Sequence, residues 1–276
     1  MVVLVTGARS GFGKLASLEL ARRGHTVYAG LRDPTTATDL MSEAADLSIE
    51  PLALDVTDAD QCRDAIERIL SDHGRIDALV NNAGIAIGGF LETLDGAAMR
   101  RLFEVNVFGV HELTRQVLPA MRRQRSGQIV MVSSMSGRAA WPGLGAYAAS
   151  KFALEGMSEA WRHELRPFGI RVMLIEPGPY RTDIFGRNRR EVEEPVDSPY
   201  RSMAQRLRER VDAATRGAGD PTEVATAIAD AVEGRRPALR HPMGPNTGLR
   251  LVTRMLPFAL TEWAVGRALG PASDPT

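Results

Sequence analysis

Short apolar runs alternate with longer amphipathic stretches through roughly the first 180 residues of the chain. Six runs rich in β-branched residues predict strands at Val2–Thr6, Thr26–Gly30, Ile49–Leu54, Ile76–Val80, Gln128–Ser133 and Arg171–Ile175. Five stretches between them have helical spacing: Gly11–Gly24, Thr35–Asp46, Asp58–His73, Met99–Gln124 and Tyr147–Phe168. Alternation of strands and helices predicts a parallel sheet with helices on both faces.

The pattern changes after Pro177. Residues Asp183–Pro199 are charged and proline-marked, which fits either a solvated loop or a lid over a pocket. Further along, the sequence predicts helices at Tyr200–Thr215 and Pro221–Gly234, a strand at Ala238–His241 and an apolar helix at Leu249–Leu269. We therefore predict one α/β domain over residues 1–276, with a core (1–182), a substrate lid (183–215) and a C-terminal extension (216–276).

Charge and cysteine content narrow the classes of partner and compartment. Lys+Arg and Asp+Glu both number 34, which argues against binding to nucleic acid or to an anionic membrane. The single cysteine, Cys62, excludes an intrachain disulfide and fits a reducing compartment. No apolar run reaches the roughly 18 residues of a membrane helix, and strand-like sequence from Val2 leaves no room for a signal peptide. These features predict a cytoplasmic protein without an integral membrane segment.

A glycine-rich segment joins the first predicted strand to the first predicted helix. It reads Thr6-Gly7-Ala8-Arg9-Ser10-Gly11-Phe12-Gly13. Glycines at this place let the backbone turn tightly and approach a dinucleotide pyrophosphate, which docks on the N–H groups of the helix N-terminus. The spacing is G-x-x-x-G-x-G rather than the commoner G-x-G-x-x-G.

Two further strand ends carry polar residues. Asp55-Val56 follows the third predicted strand, where Asp55 either accepts from an adenine amine or caps the next helix ahead of Asp58. Asn81-Asn82-Ala83-Gly84 ends the fourth strand, at the edge where parallel sheets bind ligands. An Asn-rich turn is the alternative for that segment.

Tyr147 and Lys151 lie four positions apart at the start of a predicted helix. They therefore project from one face, with Cβ atoms about 5–6 Å apart. A free phenol has a pKa of about 10, and a nearby cation favours its ionised form, so the pair can move a proton. A pair of this kind is most often an ordinary helix start, and it needs support from the rest of the chain.

That support comes from the order of the motifs. The glycine segment, Asn81–Gly84, Asn106, Ser134, Tyr147-x-x-x-Lys151 and Pro177-Gly178 together resemble the short-chain dehydrogenase/reductase family over residues 1–182. Segments 27–33 and 147–156 look most like the 17β-hydroxysteroid and retinol dehydrogenase branch. The resemblance implies a Rossmann-type doubly wound parallel sheet of about seven strands. It also implies interconversion of a hydroxyl and a ketone or aldehyde with a nicotinamide cofactor and no metal.

The resemblance assigns roles to four residues. Tyr147 would be the acid/base, and Lys151 would lower its pKa and hold the nicotinamide ribose. Ser134 would bond the substrate oxygen, with Ser133 as its rival; the family spacing to the tyrosine selects Ser134. Asn106 would hold a water that links Lys151 to solvent.

The resemblance also implies a cofactor site. Thr182 would bond the nicotinamide carboxamide, and Tyr180 departs from the family, where a smaller apolar residue is common. The full expected set is Thr6, Gly7, Arg9, Ser10, Gly11, Phe12, Gly13, Arg32, Asp55, Val56, Asn82, Ala83, Gly84, Tyr147, Lys151, Pro177, Gly178 and Thr182.

Residues at the end of the second strand favour NADP(H) over NAD(H). Leu31 stands where NAD-preferring relatives carry an acid, and Arg32 follows it. An arginine there can pair bidentately with a 2′-phosphate, and Arg9 can add a second charge. Asp33 either contacts the ribose or caps a helix before Pro34.

The substrate side is expected to be apolar. Ser134, Met135, Trp141 and Tyr147 would line it, with the loop after Thr182. This favours a lipophilic small-molecule carbonyl or alcohol such as a steroid, a retinoid or a long-chain carbonyl, although broad carbonyl reduction fits the same residues. Family members commonly pair through the helices that carry Asn106 and Tyr147, which predicts a homodimer or homotetramer. A catalytically silent NADP(H)-binding sensor or scaffold is the alternative function; it predicts a broken active set, whereas every member is present.

Overall fold

The computed structural model describes residues 1–182, 189–191, 198–245 and 258–269. Its strands are β1 Val2–Thr6, β2 Thr26–Leu31, β3 Ile49–Ala53, β4 Ala78–Asn81, β5 Ala86–Gly88, β6 Gly127–Val132, β7 Ile170–Pro177, β8 Arg189–Glu191 and β9 Arg240–Met243. Its α-helices are α1 Gly11–Arg22, α2 Thr38–Ala44, α3 Ala59–His73, α4 Gly96–Phe103, α5 Gly109–Gln124, α6 Gly145–Glu164, α7 Arg201–Arg216, α8 Pro221–Val232 and α9 Phe258–Leu269.

Seven of these strands form one parallel sheet in the order β3-β2-β1-β4-β6-β7-β9. The chain starts in the middle of the sheet at β1, builds outward to β3, and then crosses back to β4. The loops after β1 and β4 therefore diverge at a topological switch point, where sheets of this kind hold their ligands. The predicted single-domain, doubly wound parallel sheet is confirmed.

Strand β1 shows why the sheet is covered on both sides. All five of its residues are buried, and neighbouring side chains point to opposite faces. Val3 and Val5 pack in the core that holds α1, α2 and α8, through residues such as Leu18, Leu40 and Ile228. Leu4 packs in the other core, with Ile69 of α3, Leu113 of α5 and Leu154 of α6.

The predicted helix Met99–Gln124 is interrupted. Helix α4 starts after Asp95, whose carboxylate accepts from the N–H of Ala98 at 2.6 Å, and ends at Phe103. A π-helical segment, Glu104–Phe108, then leads into α5. Single π-helical turns inside α-helices are frequent at functional sites, and this one contains Asn106.

A second, two-stranded sheet has no counterpart in the sequence prediction. Strand β5 follows the Asn-Asn-Ala-Gly segment and pairs in parallel with β8, so that Ile87 lies opposite Arg190. Each strand has three residues, which is too short for a periodic signal. The pairing brings part of the predicted lid beside the loop that follows β4. The remainder of the segment Asp183–Pro199, residues 183–188 and 192–197, lies outside the described residues.

The C-terminal elements agree in part with the prediction. The last strand is displaced to Arg240–Met243 and forms the sheet edge beside β7. The apolar helix is present over Phe258–Leu269 and contacts α7, whereas Leu249–Pro257 of its predicted range lies outside the described residues. Among the helices that the structure describes, none has the length and apolar character needed to cross a bilayer.

Candidate active site

The loops after β1 and β4 are locked together by Thr6 and Asn82. The Thr6 hydroxyl accepts from the N–H groups of Asn82 at 3.0 Å and Ala83 at 2.9 Å. The Asn82 side-chain amide donates back to the carbonyl oxygens of Thr6 at 2.8 Å and Gly7 at 3.2 Å. The side-chain amide of Asn82 therefore holds the start of the glycine segment in place through two hydrogen bonds.

The glycine segment is shaped by conformations that other residues avoid. Gly7 has φ +66° and Gly11 has φ +56°, both in the left-handed region. A Cβ on Gly13 would lie 2.4 Å from both the Gly7 carbonyl oxygen and the Asn82 amide nitrogen. The first turn of α1 thus packs directly on the loop, with no space for a side chain.

The first turn of α1 offers unused donors. Ser10 precedes the helix without a side-chain capping bond, and the first turn carries no acidic residue. Free N–H groups and the positive end of the helix dipole therefore face outward, as the pyrophosphate of a dinucleotide requires. Thr182 lies beside this turn, because a Cβ on Gly11 would be 3.7 Å from Thr182 Cβ. These residues fit a nicotinamide dinucleotide.

Arg9 and Arg32 are exposed beside this loop. The neighbouring Asp33 makes hydrogen bonds within its own segment. The Asp33 carboxylate accepts from the N–H of Thr35 at 3.0 Å and from its hydroxyl at 2.6 Å, which caps the 3-10 helix Pro34–Ala37. These bonds hold the pKa of Asp33 below its ordinary value, with a smaller contribution from Arg9. Of the two interpretations of Asp33, a contact to the ribose or a helix cap, the structure shows the helix cap.

The carboxylate of Asp55 forms a local turn. Its Oδ1 accepts from the N–H of Thr57 at 2.9 Å and from the Thr57 hydroxyl at 2.8 Å. The cap of α3 is Asp58, which accepts from the N–H groups of Asp60 and Gln61. Asp55 therefore does not cap that helix. The next residue, Val56, is buried, and its carbonyl oxygen packs on Gly109.

Tyr147 and Ser134 share a hydrogen bond inside the protein. Tyr147 is 3% exposed and Ser134 is 8% exposed, at the start of α6 and after β6 respectively. Ser134 Oγ also accepts from the N–H of Ser136 at 3.1 Å. The Ser133 hydroxyl faces Glu155 instead, since a Cβ on Gly137 would lie within about 3 Å of both side chains. The side chains of the two rival serines thus lie beside different residues.

Lys151 is equally buried. Its Nζ donates to the carbonyl oxygen of Val132 at 2.9 Å and lies 5.8 Å from the centre of the Tyr147 ring. Burial lowers the pKa of Lys151 to about 8, with the charge of Glu155 acting in the opposite direction. Burial also raises the pKa of Tyr147 to about 12, opposed by the hydrogen bond from Ser134.

The direction for Tyr147 is opposite to the one expected from the sequence. Desolvation of the phenolate outweighs any attraction to the ammonium in this structure, because the ring is enclosed and Lys151 is itself desolvated. The protein by itself therefore holds Tyr147 as a phenol at neutral pH.

Asn106 ties the loop after β4 to α6. Its Oδ1 accepts from the N–H of Ile85 at 2.9 Å, and its Nδ2 donates to the Ile85 carbonyl at 2.9 Å and to Ser150 Oγ at 3.1 Å. A Cβ on Gly84 would lie 3.3 Å from Asn106 Oδ1 and 3.8 Å from Lys151 Nζ. Asn106 and Lys151 thus flank Gly84. That Asn106 holds a water stays a prediction.

Tyr180 packs beneath the Pro177-Gly178 segment. The N–H of Gly178 donates to Met243 of the edge strand at 2.8 Å. The Tyr180 ring is buried and meets Phe12 edge-on, and its phenol donates to Glu223 of α8 at 3.2 Å. A larger residue than the family norm is therefore accommodated between the glycine segment and α8.

The two residues predicted on the substrate side differ in exposure. Met135 is buried and its side chain reaches Gly178, whereas Trp141 is 44% exposed. Sequence reasoning missed Leu91, which is 63% exposed and packs against Gly145 at the start of α6. The apolar pair Phe90-Leu91, which follows the Asn-Asn-Ala-Gly segment, is the sequence feature from which a place on the substrate side could have been predicted.

Part of the predicted lid reaches these residues. The ring of Tyr200 stacks on Phe90 with 4.6 Å between centroids. Leu207 of α7 lies over Gly143, at 3.1 Å from the position of a Cβ there. The described portion of the segment after Thr182 therefore covers the loop that precedes Tyr147.

Residues 1–193 match the family model described as short chain dehydrogenase. The chain belongs to the short chain dehydrogenase family. It is an oxidoreductase of this family, acting on CH–OH groups with NAD(P). The family resemblance inferred from the motifs is thereby confirmed.

Relatives of this short chain dehydrogenase extend over nearly its whole length. An uncharacterized oxidoreductase, YusZ, from Bacillus subtilis is 42% identical over 95% of each chain. A 3-ketodihydrosphingosine reductase from Bacteroides thetaiotaomicron is 37% identical over 88% of each chain. Human 17-beta-hydroxysteroid dehydrogenase type 1 is 36% identical over 87% of this chain and 76% of its own length. Human retinol dehydrogenase 8 is 35% identical, covering 87% and 80%.

Solved structures give the same fold. A short-chain dehydrogenase from Streptomyces avermitilis is 37% identical, with a TM-score of 0.83 over 95% of this chain and 97% of the other. A Brucella melitensis 3-ketoacyl-(acyl-carrier-protein) reductase complexed with NADH is 26% identical, with a TM-score of 0.73 over 88% and 96%. A metagenomic short-chain oxidoreductase in complex with NADP is 28% identical, with a TM-score of 0.70 over 88% and 96%. The fold thus binds either cofactor.

Proposed function

We propose that this short chain dehydrogenase is an NADP(H)-dependent oxidoreductase that interconverts a hydroxyl and a ketone or aldehyde on a lipophilic substrate. The observation that carries the proposal is the buried hydrogen bond between Tyr147 and Ser134, with the Lys151 ammonium 5.8 Å from the tyrosine ring. An acid, a second hydroxyl donor and a cation thus lie close together, where a substrate oxygen would bind.

Each residue has a separate task in this proposal. When bound, NADP(H) would supply or accept the hydride. Tyr147 gives its proton to the carbonyl oxygen in reduction, or takes a proton from the alcohol in oxidation. Ser134 donates to the same oxygen and stabilises the negative charge that develops on it. Lys151 supplies the positive charge beside the phenol, and Asn106 would hold the water that joins Lys151 to solvent.

The protonation state of Tyr147 favours reduction. Burial raises its pKa to about 12, so the phenol carries its proton at neutral pH and is ready to act as an acid. Oxidation would require the phenolate, which the buried site disfavours without further positive charge. At neutral pH the phenol can therefore act as the acid in carbonyl reduction, whereas oxidation depends on positive charge that a bound oxidised cofactor would add.

The preference for NADP(H) rests on Arg32 and Arg9. Both are exposed at the rim of the glycine segment, and neither has an ion-pair partner among the described residues. Their guanidinium groups are available to a 2′-phosphate, which two planar cations recognise well. Asp33 is occupied by Thr35, which weakens its claim as a ribose ligand.

Apolar side chains around the substrate side support a lipophilic substrate. Met135, Trp141 and Leu91 lie on the loops next to Tyr147, and Leu207 of α7 lies over them. Relatives named for 3-ketodihydrosphingosine, a 17-beta-hydroxysteroid and retinol act on molecules with large hydrocarbon parts. We propose a steroid, a retinoid or a long-chain carbonyl, covered by the part of the lid that carries Tyr200 and Leu207.

A second copy of the chain is the expected partner. Phe108, the last residue of the π-helical segment that carries Asn106, is 55% exposed, and Phe152 of α6 is 41% exposed. We propose that this face forms a homodimer, alone or within a homotetramer. A cytoplasmic location stays a prediction.

The test is NADPH and NADH oxidation against a panel of steroids, retinal, aliphatic aldehydes and quinones. We expect turnover with at least one lipophilic carbonyl, faster with NADPH. Tyr147→Phe should lower kcat by about 10²–10⁴-fold, the usual contribution of a general acid, and leave NADPH affinity within a few fold. NADPH binding without turnover of any panel member would favour the silent sensor or scaffold over the enzyme.

A further inference from the structure

Two buried glutamates and two partly buried arginines form a charged cluster one helical turn beyond Lys151. Glu155 of α6 and Glu176 of β7 are 4% and 0% exposed. Arg240 of the edge strand β9 bridges them, donating to the Glu155 carboxylate and to Glu176 Oε1, the latter at 2.7 Å. Arg138 donates to the other oxygen of Glu176 at 3.2 Å. Two acids and two arginines thus neutralise each other inside the protein.

Three members of this cluster are attached to segments of the active site. Glu155 lies four residues after Lys151 on the same helix, and Glu176 directly precedes Pro177-Gly178. Arg138 follows the 3-10 turn that starts after Ser134. The cluster therefore connects the three chain segments that carry the candidate catalytic and nicotinamide-side residues.

Lys151 lacks a direct acidic partner among the described residues. Its Nζ donates to a neutral acceptor, the Val132 carbonyl oxygen, while the lysine itself is 4% exposed. A buried ammonium without a counter-charge is costly. Glu155 is the carboxylate four positions along the same helix face, which is the spacing at which side chains on a helix are neighbours.

We propose that Glu155 is a positioning residue that acts through Lys151: its carboxylate, held by Arg240, keeps the Lys151 side chain in the ammonium form. Attraction between opposite charges is strong at this depth because little water screens it. The catalytic consequence rests on the proposed function, since it assumes that Tyr147 needs a charged Lys151. The electrostatic link itself does not depend on turnover.

The titration properties of the two residues agree with this link. Burial lowers the pKa of Lys151 to about 8, and Glu155 raises it. Burial and the neighbouring Glu176 raise the pKa of Glu155 to about 7, whereas Ser133 and Arg240 lower it, so Glu155 is largely ionised only on the alkaline side of neutral pH. The other charged or titratable groups that face the cluster contribute to its balance: Lys151, Glu159, Glu176, Arg138, Arg240 and His241.

The chain contains only two lysines, Lys14 and Lys151, so the link can be measured directly. Protein labelled with ¹³C at lysine Cε gives two signals, which Lys14→Arg assigns. Their chemical shifts are followed against pH without cofactor or substrate. Glu155→Gln should lower the pKa of Lys151 by about one unit or more, because a nearby opposite charge typically shifts a pKa by one to three units. Lys14, paired with Glu43, should titrate unchanged.

Glu159→Gln is the matched control. Glu159 contacts the same Arg240 from the rim, with its side chain 57% exposed, so its loss should leave the pKa of Lys151 unchanged. A Lys151 pKa that stays at the wild-type value in folded Glu155→Gln would overturn the proposal. An equal drop in both variants would overturn it too, because the effect would then not be specific to Glu155.

Two further measurements keep the proposal testable if Glu155→Gln does not fold. In the wild-type protein the Lys151 signal should titrate in two steps, a small one as Glu155 ionises and a large one as Lys151 loses its proton. A Lys151 signal that titrates in a single step, with no response as Glu155 ionises, would contradict the proposal. Glu155→Asp keeps the charge and should keep the Lys151 pKa near the wild-type value. A drop in this pKa as large as the drop expected for Glu155→Gln would contradict the proposal.

Kinetics then separate this proposal from the proposed function. With a substrate from the panel, Glu155→Gln should move the alkaline limb of the kcat/KM profile to lower pH by the same amount as the Lys151 pKa. A shifted Lys151 pKa without any turnover in the wild type would contradict the enzyme activity and leave the electrostatic link established. Turnover with an unmoved pH profile would overturn the positioning role alone.

Discussion

The ring of Tyr180 meets the ring of Phe12 edge-on, with 5.7 Å between centroids and an interplanar angle of 80°. Phe12 belongs to the glycine segment and Tyr180 to the chain that leaves β7, so this contact joins the two sides of the cofactor crevice. The phenol also donates to Glu223 of α8.

Tyr180→Ala should destabilise the protein and weaken NADPH binding. Removing a buried aromatic ring typically costs about 3–5 kcal/mol in free energy of unfolding, and Phe12 loses the ring that supports it. Tyr180→Phe should lose only about 1 kcal/mol, the value of one hydrogen bond. Urea unfolding and a fluorescence titration with NADPH measure both effects. Tyr200→Ala, which removes a ring stacked on the lid side, serves as the control and should bind NADPH normally.

Ser134→Ala and Ser133→Ala should differ sharply in activity. Ser134 shares a hydrogen bond with Tyr147, so its loss should lower kcat/KM by about 10²–10³-fold, as for other donors to a developing oxyanion. Ser133 faces Glu155, and its loss should have a much smaller effect. Steady-state kinetics on the substrate found in the panel compares the two variants. A larger loss of activity for Ser133→Ala than for Ser134→Ala would show that the role belongs to Ser133 instead.

Arg32→Asp should shift cofactor preference from NADPH toward NADH. A hydrogen bond to a charged group is worth about 1.5–3 kcal/mol, so NADPH affinity should fall by about tenfold or more, whereas NADH affinity should change little. Dissociation constants for both cofactors give the ratio. Arg122→Asp, an exposed charge reversal in the last turn of α5, is the control. An unchanged ratio in Arg32→Asp would remove the case for 2′-phosphate recognition at this residue.

Gly13→Ala should destabilise the fold and impair cofactor binding together. Its Cβ would lie 2.4 Å from both the Asn82 amide nitrogen and the Gly7 carbonyl oxygen, and overpacking typically costs about 1–3 kcal/mol. Gly266→Ala is matched to it: this helical glycine has no described heavy atom within 4 Å of a Cβ, and alanine there should be neutral or stabilising by up to about 1 kcal/mol. Thermal unfolding compares the two variants. Equal Tm values for the two variants would show that the loop accommodates the extra methyl group without loss of stability.

Phe108→Asp should dissociate the homo-oligomer. A carboxylate in an apolar interface would be desolvated without a partner, and Phe108 is 55% exposed in the single chain. Light scattering after gel filtration gives the mass. Leu260→Asp changes an equally exposed apolar residue on α9 and should keep the wild-type mass. A monomeric wild type, or an unchanged mass in Phe108→Asp, would contradict pairing through this face.

Strong local patterns made much of the fold predictable. Strand β1 has the predicted bounds Val2–Thr6, and α3 ends at the predicted His73, because a buried apolar run and an Asp cap with a glycine stop are local signals. The motif order was also sufficient to identify the family, which the comparison with its family model confirms.

Features that depend on distant partners were not predictable. Strand β5 exists because β8, about a hundred residues later, pairs with it. The π-helical segment at Asn106 breaks a pattern that reads as one continuous helix. Glu176 and Arg240 gave no signal as a cluster, because they come from strands whose neighbours are decided by sheet order.

By itself the sequence determined the alternation of elements, the parallel sheet and the residue types that converge on the site. Those follow from periodicity, glycine and capping residues, and motif spacing along the chain. Only the tertiary structure decided that Asn82 holds the glycine segment through hydrogen bonds and that burial raises rather than lowers the pKa of Tyr147. The physical reason is that desolvation and hydrogen bonding depend on everything packed around a group, which spacing along the chain does not specify.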